Sequence, residues 1–304
     1  MKNQLACAML LALSATASAG ASAPPASPPP AASTGEPEIV VRGKREREAQ
    51  IRGFIDALAP GRFSGQLARF STKACPGVLG LVPAQSDAIV ARLRRIGEAV
   101  GVPLDTPGCS PNVWVVVTSD RAELAAKVRG SWRDGPEGRP APVSKTDLAT
   151  VLHAERLLDA NREEIGVKVD AGDGDSGYYQ SEIYTSSRIR PNATRTFAAS
   201  ALIVEPQTLD GLTTLQLADY AAMRLFARAD PARLGPDAPP SILAALAAPV
   251  GTELPESVTE WDFAFLKALY RSDDRSYAGA QKGEMQSIVR KEITGQDRAT
   301  KRRN

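Results

Sequence analysis

Apolar side chains recur at helical spacing in several stretches of this chain. Between Glu46 and Leu58 the residues Ile51, Phe54, Ile55 and Leu58 share one face, and Pro60-Gly61 follows, so an amphipathic helix ending near Leu58 is predicted. Ala84–Val100 repeats the pattern through Ile89, Leu93, Ile96 and Val100, with Gly101 placed as its C-cap. Three later helices are predicted over Thr213–Ala229, Ser257–Ser272 and Gln281–Ile293, the second carrying Trp261, Phe265, Leu266, Leu269 and Tyr270. Two capping signals add more: Asp120 with Glu123 opens a helix ending at Gly130, and Ser144 with Asp147 opens one that would hold His153 near its middle.

Strand patterns are fewer. Val113–Val117 is β-branched and apolar throughout, as a strand covered on both faces should be. Thr194–Val204 is a second candidate, and Ile165–Asp170 with Tyr178–Thr185 read as a hairpin around Ala171–Gly177. Glu38–Arg45 reads as a short edge strand and basic turn, and Cys75–Leu81 as a turn-rich apolar segment. These elements predict an α+β fold, a mixed sheet with several packed helices, behind a disordered N-terminal leader.

The leader comes from the first residues. Lys2 is a positive start, Leu5–Leu13 an apolar run, and Ala17-Ser18-Ala19 and Ala21-Ser22-Ala23 are small-x-small cleavage sites. That is the layout of a secretory signal peptide, and the run is shorter than the ~20 residues a membrane span needs. Cys7 lies inside the apolar run, which argues against lipidation there. Export to the periplasm or medium, with cleavage near Ala19 or Ala23, is therefore expected. The chain divides into a signal peptide (1–23), a disordered Pro/Ala-rich spacer around Pro28-Pro29-Pro30 (24–45), an α/β N-terminal part (46–130), a loop or boundary (131–143), an α+β C-terminal part (144–295) and a basic tail (296–304).

Composition narrows the chemistry. A net charge of +2 argues against nucleic-acid binding. Of the three cysteines, Cys75 and Cys109 remain after cleavage, and an oxidising compartment makes a disulfide between them the expectation, at about 3–4 kcal/mol of stabilisation. His153 is the only histidine, so a zinc site with two nitrogen ligands is excluded and a Ser-His-Asp triad would have to use it. A lone histidine of this kind is more often a packing residue. No metal and no cofactor are expected.

The remaining motifs are weaker. Gly172-Asp173-Gly174-Asp175-Ser176-Gly177 has the spacing of a dinucleotide loop, but its aspartates would repel phosphate and a strand follows it. Asp170, Asp173 and Asp175 offer oxygen ligands at a spacing that does not match a calcium loop. Asp262, Asp273 and Asp274 flank one helix and are the candidate carboxylates for a hydrolase, with capping and solvation as the plainer reading. From Lys282 onward the chain has seven Lys or Arg against three Asp or Glu, so contact with an anionic membrane surface is at most peripheral and through this tail.

Three resemblances add expectations. Glu38-Ile39-Val40-Val41-Arg42-Gly43-Lys44-Arg45 resembles the start of the plug of TonB-dependent receptors, over eight residues only; the chain is far too short and too poor in aromatic residues for a receptor barrel, and an edge strand followed by a basic turn is the plainer reading. The segments Cys75–Leu81, Cys109–Asn112, Gln216–Met223, Ser241–Leu243 and Trp261–Tyr270 together resemble a group of uncharacterised exported proteins of alphaproteobacteria, loosely over residues 45–295. The order of strand 194–204, helix 213–229 and later helices is similar to zincin-like proteases, but Gln216 and Asp219 stand where their HExxH motif would lie, which implies a metal-free relative at most. The expected function is a non-catalytic binding or accessory protein whose partner is an envelope protein or other envelope component; the alternatives are a periplasmic hydrolase using carboxylates, or an inactive zincin-like relative.

Overall fold

In a computed structural model, the described residues are 38–61, 65–134, 139–140, 144–145, 148–159, 161–164, 167–169, 178–180, 190–191, 193–249 and 251–301. The predicted signal peptide, most of the spacer and the Gly172–Gly177 loop with Asp170, Asp173 and Asp175 lie outside them. Arg42–Asn304 forms one compact body.

The Val113–Val117 run is apolar throughout because it crosses the middle of a sheet covered on both sides. In chain order the elements are α1 (Glu38–Leu58), β1 (Pro76–Leu79), α2 (Pro83–Val100), β2 (Val113–Val117), α3 (Arg121–Asp134), β3 (Arg139–Pro140), β4 (Ser144–Lys145), β5 (Ala149–Leu158), β6 (Val167–Val169), β7 (Tyr178–Gln180), β8 (Thr194–Val204), α4 (Thr214–Leu225), α5 (Glu260–Arg271) and α6 (Ala278–Lys301). Strands run β1-β2-β8-β5-β3, with β4 also on β5; β1, β2 and β8 are parallel and β5 is antiparallel to β8. The fold is α+β with a mixed sheet, as the patterns predict. β6 and β7 pair apart from it as an antiparallel ribbon.

Period-two alternation divides the sheet between two cores. Val113, Val115 and Val117 of β2, Val151 of β5 and Leu202 and Val204 of β8 join the large core with α1, α2, α4, α5 and α6. Leu152, Ala154, Ala201 and Ile203 face the other way, onto Ala125 and Trp132 of α3. The residue ranges 46–130 and 144–295 thus contribute strands to one sheet and side chains to one core.

Three expectations are corrected. Ala149–Leu158 is a strand, not a helix. Its Ala, Leu, Glu and Arg have good helix propensity, but a central slot beside β8 covers both faces of the segment, and tertiary pairing outweighs propensity. Glu38–Arg45 is the beginning of α1 and not an edge strand. Three apolar β-branched residues with no strand beside them satisfy their backbone by continuing a helix. Pro76–Leu79, expected as a turn, forms the edge strand β1. Two limits also shift: α3 continues past Gly130 into the expected boundary segment, and α6 continues past Ile293 to Lys301.

Candidate functional site

Three parallel strands end on the same side, and each runs into a helix or a helical turn. Gly80 follows β1, Thr118 follows β2, and a 3-10 turn at Pro206–Leu209 follows β8 before α4 begins. In open sheets of parallel strands, the gap outside the carboxyl ends is where ligands settle. Here it is a cleft of about 260 Å³, with walls supplied by Leu81, Ile89, Val117, Leu209, Leu212 and Leu217. Among the described residues that line it, none has an ionisable side chain; the polar groups are Gln85, Thr213 and Thr214.

Local sequence explains the shape. Gly80 turns the chain out of β1 with φ +84°, and a Cβ there would stand 1.9 Å from the Val117 carbonyl oxygen, so only glycine allows β1 and β2 to end this close together. Pro83 starts α2 at its first turn. Thr213 starts α4 through a capping box: its hydroxyl accepts from the Gln216 amide at 3.1 Å, and its own amide donates to Gln216 Oε1 at 3.0 Å. Gln216 also reaches across to the Pro255 carbonyl at 3.0 Å, which ties the segment before α5 to the first turn of α4.

Leu79, Val82 and Leu215 are 52%, 60% and 41% exposed, and they are the exposed large hydrophobic residues among those described. They neighbour the lining segments in sequence, but none lines the cleft, and Leu79, in register with Val116, is on the α3 face of the sheet.

Four segments that lead into helices hold more acids than bases. The segment 80–87 carries Asp87, and 118–123 carries Asp120 and Glu123 with the base Arg121. Segment 205–216 adds Glu205 and Asp210, and 251–260 adds Glu253, Glu256 and Glu260. Arg121 is paired with Glu205 at 3.1 Å and Lys127 with Glu123 at 2.6 Å. Among the described residues the other six acids make no ion pair. Acids favour helix starts, which accounts for Glu123 and Glu260. Asp87, Asp210, Glu253 and Glu256 lie outside any first turn.

Beneath the cleft, α2 and α4 are clamped together. The fully buried Asp219 accepts from Arg92 Nε at 2.6 Å and Nη2 at 3.0 Å, from Ser257 Oγ at 2.8 Å and from the Val258 amide at 2.8 Å. Gln216 and Asp219, which stand where a zincin would have its motif, are therefore a helix cap and an ion-pair partner.

The other residues singled out in the sequence are spread through the body. Cys75 and Cys109 form the disulfide, Cα–Cα 6.1 Å, at the amino end of β1 and far from the cleft. His153 sits within β5, buried, stacked on Phe197 at 4.4 Å and directly across the ladder from Ser200. Burial, and then Arg228 and Arg224, push its pKa down to about 3, so the ring is neutral near pH 7. Among the described residues, its Nε2 and the Ser200 hydroxyl have no hydrogen-bond partner, and both side chains are buried.

The carboxylates do not converge. Asp262 is fully buried at the start of α5, where it accepts from Ser241 Oγ at 2.6 Å and from the Ile242 and Thr259 amides at 2.8 and 3.0 Å. Burial raises its pKa and these bonds oppose the rise. Asp273 and Asp274 lie beyond the other end of the helix, about 17 Å along its axis. Asp274 pairs with Arg162 at 3.1 Å, and Asp273 accepts from the Arg275 amide at 2.9 Å. Among the described residues, no group of three or more His, Cys, Asp and Glu is placed to hold a metal ion.

The residues that line the cleft are not singled out by sequence reasoning, because the junctions after β1, β2 and β8 become one face only when the strands are known to be parallel.

Fold and site together define an α+β scaffold with an open cleft at the carboxyl end of its sheet. Comparison with protein-family models, curated proteins and solved structures finds no match.

Proposed function

We propose that this is an exported, non-catalytic binding protein of the cell envelope that engages a partner at the cleft beyond β1, β2 and β8. The observation that carries this reading is an open cleft outside the carboxyl ends of three parallel strands, whose described lining is mostly apolar and has no acid, base or histidine. Ligands settle in that gap, and a lining without general acid or base suits binding better than turnover. Export rests on the signal-peptide layout, and the Cys75–Cys109 disulfide suits an oxidising compartment. No helix among the described residues is long and apolar enough to cross a membrane.

The test uses a photo-crosslinking residue introduced at Gln85 or Thr214, which line the cleft, or at Lys73 on the amino side of β1, in cells that export the protein. Discrete adducts from the first two positions and none from Lys73 are expected, with the mature chain in the periplasmic or medium fraction, starting just after Ala19 or Ala23. Equal labelling from all three positions, or no adduct from Gln85 and Thr214, would defeat the reading.

A further inference from the structure

We infer that the cleft takes a small uncharged amphiphile, an apolar body with one hydroxyl- or amide-like end, a reading that rests on the cleft being the binding site. Three observations carry it. The first is size. An apolar cavity of about 150 Å³ admits benzene, so on that scale a cleft of about 260 Å³ holds about ten non-hydrogen atoms. That is too little for a nucleotide or an oligosaccharide, and it matches a medium-length alkyl chain with its polar end.

The second is the grading of the lining. Ile89, Val117 and Leu217 are buried, and Leu81, Leu209 and Leu212 are half-buried. The most open positions include Gln85 and Thr214, in the first turns of α2 and α4. Among the described residues neither of these side chains has a hydrogen-bond partner, and each can both donate and accept. An alcohol or amide end uses both capacities. A carboxylate only accepts, an ammonium only donates, and neither meets an opposite charge in the described lining. A sugar would leave hydroxyls unpaired against the apolar walls.

The third is where apolar contact is to be had. Leu79, Val82 and Leu215, the exposed large apolar residues among those described, do not line the cleft. A stable protein interface buries about 1,200 Å² or more, whereas the apolar contact here is enclosed in a cleft that a small molecule fills by itself.

The measurement is isothermal titration calorimetry of the purified mature chain with 1-octanol, 1-butanol, octanoate and octylammonium. Octanol is expected to bind more than tenfold tighter than butanol, because each methylene that enters the cleft adds affinity, and tighter than either ion. Leu209→Trp and Leu212→Trp each place an indole into the cleft and should weaken octanol about tenfold or more. Joint Gln85→Met and Thr214→Val substitution removes the polar end and should weaken octanol about threefold to tenfold. An unchanged melting curve verifies the fold of each variant, and the joint variant, at the most open positions, keeps the test valid if a tryptophan is not accommodated.

If octanoate or octylammonium binds as tightly as octanol, the uncharged ligand is overturned. If butanol binds as tightly as octanol, or no folded variant weakens octanol, the amphiphile is not held in this cleft and the inference falls. If no alcohol binds while crosslinks to a polypeptide still form at Gln85 and Thr214, the inference falls and the cleft stands as a binding site. Without alcohol binding and without crosslinks, both fall.

Discussion

The two ends of the parallel strands are built in opposite ways. At the amino end the chain is closed. Cys75 and Cys109 bridge the segment before β1 to the one before β2. Asn112 accepts from the Cys75 amide at 2.7 Å and donates to the carbonyls of Lys73 and Ala198 at 3.1 and 3.0 Å, binding the starts of β1, β2 and β8 together. The cations there are occupied: Lys73 by Asp105, Arg195 and Arg228 by Glu155, and Arg69 by the carbonyls that end α5 at Leu269 and Ser272. At the carboxyl end the chain is open: the cleft beyond β1, β2 and β8 is lined mostly by apolar side chains, and the structural bonding retreats beneath it to Arg92 and Asp219. One end uses its polar groups to tie strands together, and the other leaves a gap between them.

Removing the amino-end staple should have the largest effect. Cys75→Ser with Cys109→Ser is expected to lower unfolding free energy by about 3–4 kcal/mol in denaturant titrations. Amide exchange should accelerate first in residues 101–112 and leave the first turns of α2 and α4 protected. Equal acceleration at both ends would erase the contrast.

The clamp beneath the cleft is the counterpart. Asp219→Ala leaves Arg92 and the Val258 amide without their acceptor and is expected to cost about 3 kcal/mol, with exchange rising at the carboxyl end instead. A loss below about 1 kcal/mol would mean the clamp is replaceable by solvent.

Acid should act on the sheet interior between the two ends. His153 has a folded pKa of about 3 against about 6.5 when unfolded. Within that window the unfolded chain holds the extra proton, so stability falls as pH falls below 6.5, and the contribution is complete above it. The slope is about 1.4 kcal/mol per pH unit. It should be present in the parent and absent from His153→Gln in paired titrations between pH 6.5 and 4.5; parallel curves would remove His153 as the cause.

The smallest effect is expected at the exposed apolar side chains near the carboxyl end. Leu79→Ser or Leu215→Ser should change stability by less than about 0.5 kcal/mol, because these side chains are already in water. A larger loss would make them part of the core and weaken the contrast between the ends.

Much of this body is legible before folding. The helix faces of α1, α2 and α5 are written in three- and four-residue steps, and their buried residues are the ones the periodicity marks. Gly101 ends α2 with φ +95° as a residue after a helix should. β2 shows as a β-branched apolar run and β8 as a strand candidate, and Cys75 and Cys109 as the pair left once the predicted signal peptide is set aside. β5 is not legible, because Ala149–Leu158 has residues content in a helix and becomes a strand only between neighbours that the linear chain does not show. The same limit hides the cleft, whose lining residues, such as Leu81, Val117 and Leu217, are ordinary apolar residues in sequence.

Sequence alone thus determined the helices, two of the main strands and the disulfide pair, because periodicity and residue type act over a few positions. The tertiary structure alone decided that β1, β2 and β8 end on one side. That parallel order brings distant segments, from residue 80 to residue 217, around one cleft. A cleft belongs to a surface, and a surface exists only after the strands have been ordered.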